Sequence, residues 1–293
     1  MNYRECYEKG KATLRQAGVP EAELDARLLL EYVCGTDRNT LLVHGDREVT
    51  GKEQSVYEKL LERRRERVPL QHLTGVQNFM GLDFQINEHV LIPRQDTEIL
   101  VEEVLKNLHD GMRILDMCTG SGCILTSILH YSNGCSGIGV DISAEALAVA
   151  EKNALQLLCG QREAIAGGGS DGRSKEQIQF VQSDLFEKVS GKFEIIVSNP
   201  PYIERQMISE LMPEVREHEP FSALDGGTDG LDFYRRIISQ SPSYLCGGGM
   251  LFFEIGYNQG EMVKQLMIQT GFKEVLIKQD YAGLDRVIYG TWF

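Results

Sequence analysis

Four consecutive residues, Asn199, Pro200, Pro201 and Tyr202, carry groups that can act on a planar nitrogen. They follow the apolar run FEIIVS, residues 193–198, which reads as a buried strand, so they fall at a strand's carboxyl end. Two successive prolines donate no backbone hydrogen bond and hold the chain stiff. The Asn199 side-chain oxygen and a prolyl carbonyl, that of Pro200, are then acceptors held in place. An NH2 group conjugated to a π system has a delocalised lone pair. Acceptors aimed at its two hydrogens return electron density to the nitrogen and let it attack an electrophilic carbon. The Tyr202 ring can stack on such a planar group. A rigid turn with asparagine as turn former and tyrosine as packing has the same composition. The position at the edge where such sheets bind ligands favours the chemical reading.

A second constellation begins at Asp116-Met117-Cys118-Thr119-Gly120-Ser121-Gly122, between a strand over RILDMC and a helix over ILTSILH. Glycines let the backbone turn sharply and approach a ligand without a Cβ in the way. Asp141 ends the next strand, SGIGVD, roughly twenty residues on, where an acid accepts hydrogen bonds from ribose hydroxyls. The turn is not a full Gly-x-Gly-x-x-Gly. With Asp141 it points to a nucleoside ligand and leaves the choice of cofactor open.

These residues need a scaffold of alternating strands and helices. From Asp96 onward, helices over DTEILVEEVLKNL, ILTSILH, AEALAVAEKNALQLL and EMVKQLMIQT alternate with strands over RILDMC, SGIGVD, IQFVQSD, FEIIVS and GGGMLFFEIG. FKEVLIK and DRVIYG close the chain as an antiparallel pair. The pattern predicts an α/β fold with a doubly wound, mostly parallel seven-stranded sheet over 94–293. Before it, 1–70 reads as a small helical domain. Leu24, Leu28 and Leu29 recur at helical spacing, as do Val56, Leu60 and Leu61. The basic run RRRER alternates with Glu62 and Glu66 and reads as a solvated, self-paired face. Residues 71–93 join the two as a β-hairpin around Phe79, Leu82, Phe84 and Ile86, with Met80-Gly81 at its turn. The Gly-rich stretch 159–177 reads as a flexible surface insertion.

The chain has 293 residues, 43 acidic against 30 basic, a net charge of −13 and 42% hydrophobic residues. An acidic chain of this kind does not take its affinity from wrapping a phosphate backbone. The seven cysteines form no Cys-x-x-Cys pair, so reduced, mostly buried thiols are expected and a structural zinc site is not. The charged N-terminus carries no secretory signal, and no apolar run reaches membrane-spanning length. A cytoplasmic monomer is expected.

The Asn-Pro-Pro-Tyr motif after such a cofactor-binding half resembles amino-methyltransferases acting on conjugated nitrogens. The motifs VLIPRQDTEILV, ILDMCTGSGC, VDISAEALAVAEKNA, SDLF, VSNPPYI, VREHEPFSALDGGTDGLDFYRRI, GGGMLFFEIGYNQG and YAGLDRVIYG together resemble the release-factor glutamine methyltransferase family over nearly the whole chain. The resemblance implies S-adenosylmethionine as cofactor and S-adenosylhomocysteine as product. It implies that Cys118, Thr119, Gly120, Ser121, Gly122, Asp141, Ile142, Asp184, Leu185 and Asn199 bind the cofactor. Asn199, Pro200, Pro201 and Tyr202 are then catalytic and substrate-binding. The implied partners are class 1 peptide chain release factors, methylated at N5 of the glutamine in a Gly-Gly-Gln motif and docked by the N-terminal helices; no nucleic acid, membrane or metal is expected. The family usually has glycine where Cys118 stands, so the turn is expected not to need a glycine-only conformation there. An adenine-N6 methyltransferase, a ribosomal-protein glutamine methyltransferase and a non-catalytic binding module remain alternatives.

Overall fold

The computed structural model describes residues 1–159 and 177–293. The Gly-rich stretch read as a surface insertion lies, apart from its end residues, outside the described residues. The chain divides into two compact units: Met1–Val76 with Met212–His218, and Gln77–Leu211 with Glu219–Phe293.

The first unit is helical: α1 Tyr3–Gln16, α2 Ala22–Cys34, α3 Arg38–Val43, α4 Gly51–Arg65 and α5 Leu70–Thr74, joined by the later short helix α9 Pro213–Arg216. Asn2 with Glu5 and Thr50 with Glu53 form capping boxes on α1 and α4. Its core gathers Leu14, Ala26, Leu29, Leu30, Tyr57 and Leu61. Two of the residues expected on the buried faces, Leu24 and Val56, are instead 38% and 39% exposed. The reason is Tyr57. A Cβ at Gly10 would lie 2.0 Å from its hydroxyl oxygen, and that hydroxyl donates to the Ala26 carbonyl at 3.0 Å. Gly10 makes room for the large ring and the Ala26 carbonyl takes its hydroxyl, which turns those faces of the helices inward. The basic run also departs from expectation. Arg65 pairs with Glu62 in solvent, but Arg64 is 6% exposed. Its Nε donates to Asp25 at 2.7 Å and one Nη to Glu214 at 3.0 Å, while Arg67 also grips Glu214. The spacing that made Arg64 look solvated cannot register partners distant in sequence.

The second unit begins with a hairpin, β1 Val76–Phe79 and β2 Leu82–Gln85. Met80 and Gly81 both have positive φ, +51° and +72°, as a two-residue hairpin turn requires. The main sheet has seven strands: β3 Arg113–Met117, β4 Ser136–Asp141, β5 Ile178–Gln182, β6 Phe193–Ser198, β7 Leu245–Glu254, β8 Lys273–Gln279 and β9 Asp285–Trp292. Their order is β5-β4-β3-β6-β7-β9-β8, parallel except for β9, which runs antiparallel between β7 and β8. Alternate residues enter opposite cores: Ile114, Ile195 and Val197 one, Leu115, Met117 and Ile196 the other. The helices of this unit are α6 Gln95–Asn107, α7 Cys123–His130, α8 Ala144–Ala154, α10 Asp232–Gln240 and α11 Gly260–Thr270. Strand order reverses at β3 and β6, which places the ligand crevice beyond their carboxyl ends. Among the described residues, no helix is long and apolar enough to cross a membrane.

The Arg64 cluster generates a stability prediction. Removing one partner of a buried ion pair leaves an uncompensated charge, so Glu214→Ala should cost about 3 kcal/mol in denaturant unfolding of the helical unit. Arg65→Ala should cost no more than about 0.5 kcal/mol. Burial pushes the Glu214 carboxyl up, but its bonds to Arg67 and Arg64 outweigh this and hold it below the usual value. Its contribution is therefore present above the ordinary glutamate pKa and is lost as pH falls through the depressed one. A Glu214→Ala chain as stable as the parent at neutral pH would refute the account.

Candidate active site

A cavity of about 830 Å³ opens at the carboxyl ends of β3, β4 and β6, entirely within the second unit. In β3 and β6, Met117 and Ser198 are register partners, and the Ser198 hydroxyl donates to the Met117 carbonyl at 2.7 Å. The next residues, Cys118 and Asn199, therefore leave adjacent strands side by side. Of the residues singled out in the sequence, Cys118, Thr119, Gly120, Ser121, Asp141, Ile142, Asp184, Leu185, Asn199 and Pro201 border the cavity. Gly122, Pro200 and Tyr202 do not contribute to the lining.

The Gly-rich turn closes on Asp141. The Gly120 N–H donates to Asp141 Oδ2 at 2.9 Å and the Ser143 N–H to Oδ1 at 3.0 Å. An ionised carboxylate has about four lone-pair sites, so Asp141 keeps acceptors for further donors. Burial raises its pKa against the pull of those two N–H groups. Gly120 has φ +53°, and a Cβ built there meets nothing within 4 Å, so the backbone is open to a ligand. Gly122 serves packing instead. A Cβ there would lie 2.9 Å from the Ala150 Cβ, so the glycine permits close approach of α7 to α8.

Cys118 takes a backbone conformation that glycine favours and other residues can adopt. Its φ is +58°, in the left-handed region that favours glycine. Cysteine occupies it at a cost of roughly 1 kcal/mol. Burial pushes its thiol well up, with Asp141 and Asp116 adding to the rise, so the sulfur stays protonated. Asp116 is wholly buried; burial pushes its carboxyl up to about 7, against the Thr119 hydroxyl, which donates to it at 2.6 Å. Ile142 is 61% exposed at the cavity, while Asp184 accepts from Arg236 at 2.8 Å.

The segment after the prolines is clamped. The Tyr202 hydroxyl donates to Glu254 at 3.2 Å and its carbonyl accepts from the Gln259 amide at 2.9 Å. A Cβ at Gly226 would lie 2.7 Å from the Tyr202 Cα, and one at Gly230 would lie 2.4 Å from the Tyr202 oxygen. Ile203 exchanges backbone hydrogen bonds with Leu224 and Gly226. The glycines of LDGGTDG thus let a second segment lie against the turn. Asn199 Nδ2 donates to Thr97 Oγ1 at 3.4 Å. Asn153, fully buried, accepts from the Gln85 N–H at 2.7 Å and donates to the Ser121 carbonyl at 2.9 Å, tying the hairpin to the Gly-rich turn.

Thr97, Asn153, Glu254 and Gln259 carried no role in the sequence reading. Their signal was a polar side chain inside a motif or apolar run, which alone does not say what it bonds. The ring of Tyr202, expected to face a planar group, is half-buried with its hydroxyl turned to Glu254.

Comparison with known proteins places the chain in a family. Residues 5–75 match the family model of the PrmC N-terminal domain, and residues 94–215 that of the methyltransferase small domain. The chain is 38% identical over 288 residues to the release factor glutamine methyltransferase of Geobacter sulfurreducens, covering 98% of this chain and 95% of that protein. It is 38% identical over 293 residues to the release factor glutamine methyltransferase of Clostridium botulinum, covering 98% of each. A solved structure, the protein-(glutamine-N5) methyltransferase (release factor-specific) of Alicyclobacillus acidocaldarius, is 31% identical and covers 71% of this chain and 99% of that chain, with a TM-score of 0.40. Matches of this identity along nearly the full length leave no room for a different family: the chain belongs to the release factor glutamine methyltransferases.

Proposed function

We propose that this enzyme methylates N5 of the glutamine in the Gly-Gly-Gln motif of class 1 peptide chain release factors, with S-adenosylmethionine as donor. The observation that carries the reading is the β3–β6 register, which sets the Gly-rich turn beside Asn199 on one cavity with Asp141. The cradle fits the cofactor: Gly120 leaves its backbone open and Asp141 keeps lone pairs for ribose hydroxyls. Ile142, Asp184 and Leu185 would border the base, beside Cys118, Thr119 and Ser121. When bound, the cofactor supplies a methyl group made electrophilic by a positively charged sulfur.

The chain's own part is to position a weak nucleophile. Asn199 Oδ1 and the Pro200 carbonyl accept the two amide hydrogens of the glutamine and sharpen as charge develops on nitrogen. Pro200 and Pro201 keep those acceptors from swinging away. No general base is needed at the start, because the nitrogen becomes acidic only as the new bond forms, and the proton then leaves to water. The N-terminal helices supply the docking surface for the release factor.

The deciding experiment offers labelled cofactor with release factor, ribosomal protein, DNA and RNA side by side; label in any substrate but the release factor overturns the reading. Asn199→Ala should lower single-turnover methyl transfer by about 10² to 10³, the effect of losing one acceptor that strengthens in the transition state. Transfer near the parent rate would exclude Asn199 as that acceptor. Asp141 gives a pH test. Its ionised form accepts the ribose hydroxyls, so affinity for S-adenosylhomocysteine should hold above its raised pKa and fall as pH drops through it. Asp141→Asn should bind more weakly and lose that acid limb in calorimetric titrations; an unchanged limb would assign it to another group.

A further inference from the structure

Thr97, which accepts from the Asn199 amide, lies buried in the first turn of α6. Its N–H donates at 3.1 Å to the carbonyl of Arg94, the residue at the N-cap of this helix. Arg94 therefore stands one turn before the group that meets Asn199, and it borders the same cavity. Its side chain is 41% exposed, yet one Nη donates at 2.6 Å to Glu219 Oε1, and the Glu219 side chain is 1% exposed. Glu219 Oε2 has no hydrogen-bond partner among the described residues. A carboxyl buried this deeply for one bond to a half-exposed arginine is a poor stabilising device. It is an effective way to fix the direction of a guanidinium. That group has five N–H donors, and apart from the bond to Glu219 it makes no hydrogen bond to the described residues.

The surroundings of Glu219 decide which ligand those donors meet. The next residues, Pro220 to Ala223, line the cavity. Beyond them Leu224 and Gly226 exchange backbone hydrogen bonds with Ile203, just past Tyr202. Both anchors of Arg94 thus belong to the Asn-Pro-Pro-Tyr side of the cavity and not to the Gly120–Asp141 cradle. A Gly-Gly-Gln loop offers no side chain but that of the glutamine, whose amide hydrogens go to Asn199 and Pro200. Its other recognisable groups are main-chain ones, and a main-chain carbonyl takes N–H donors. We propose that Arg94 donates to main-chain carbonyls of the substrate loop beside the glutamine, and that Glu219 is the positioning residue that aims it. A donor on the glutamine's own side-chain carbonyl would draw electron density from the nitrogen, so the productive contact is to the main chain. The inference rests on the reading of this cavity as the site that takes the release factor's glutamine.

The test is methyl transfer with the release factor varied at saturating S-adenosylmethionine. Arg94→Ala should raise KM for the release factor roughly tenfold to a hundredfold, the effect of losing a hydrogen bond from a charged group. The loss should fall on KM and not on the rate at saturation, because a main-chain contact is as strong before the reaction as during it. Affinity for S-adenosylhomocysteine, read by calorimetry, should not change. A fall there would mean that Arg94 holds the cofactor's carboxylate, and overturns the proposal. Arg94→Ala also strands a buried carboxyl, so Arg94→Lys is the second variant: it keeps a cation beside Glu219, loses the planar fork and should still raise KM. Glu219→Ala should raise KM in the parent and add nothing in Arg94→Ala, and Glu219→Gln, which keeps an acceptor for Arg94, should restore most of the loss. A purely structural pair would lower the thermal midpoint with KM unmoved, and that result overturns the proposal. If the parent enzyme leaves the release factor unlabelled, the functional reading fails and the inference with it. If the parent labels it and KM is unmoved in Arg94→Ala and Arg94→Lys, the inference alone is wrong.

Discussion

The parallel pairing of β3 with β6 is the constraint on which the rest of the site depends. With Met117 opposite Ser198, the Gly-rich turn and the Asn-Pro-Pro-Tyr turn leave the sheet at the same height. A slip of one residue would move one turn by about 3.3 Å and send every side chain of that strand to the opposite face. The register is held by the alternation itself. Ile114, Ile195 and Val197 belong to one core and Leu115 and Ile196 to the other, so neither strand can shift without placing its apolar set against the wrong helices.

Around that pair the fold departs from comfortable chemistry. Asp116 is fully buried with Oδ1 unpartnered, and Glu254 and Glu219 each keep one carboxylate oxygen without a hydrogen-bond partner among the described residues. Cys118 holds a left-handed backbone conformation that its side chain disfavours. Buried orphan acceptors and strained backbone are costly and persist where surrounding structure over-determines them. Here that structure is rigid: the prolines, the Gly226 and Gly230 approaches to Tyr202 and the Gln259 amide on its carbonyl. Stability supplied by two apolar cores is set against a site whose polar groups are pre-aimed.

The helical unit applies the same physics to a different end. Arg64 is buried in a run that is otherwise solvated, because Asp25 and Glu214 come from segments far along the chain. The stretch Met212–His218 lies 10 residues beyond Tyr202 at its start and nevertheless packs as part of the N-terminal unit. The chain that carries the Asn-Pro-Pro-Tyr turn thus returns to the helical unit before it resumes the sheet unit.

Periodicity in the sequence was enough to determine the seven strands, four of the helices among them (α10 was not read), the hairpin turn and the doubly wound class, because apolar alternation and helical spacing are local properties. The two motifs were legible for the same reason: Asn199 to Tyr202 and Asp116 to Gly122 are contiguous, and Asp141 ends the next strand. Tertiary structure alone decided what those motifs touch. Tyr57 claimed the helical core because Gly10 makes room for it and the Ala26 carbonyl takes its hydroxyl, while Leu24 and Val56 face solvent. Cys118 took a glycine-favouring conformation because its place in the turn, and not its side chain, sets the backbone. Thr97, Glu254 and Gln259 lie far apart in sequence from Asn199 and Tyr202, and a hydrogen bond between distant residues leaves no spacing to read. Local pattern encodes elements, while orientation of a functional side chain is a matter of partners that only the folded chain brings within about 3 Å.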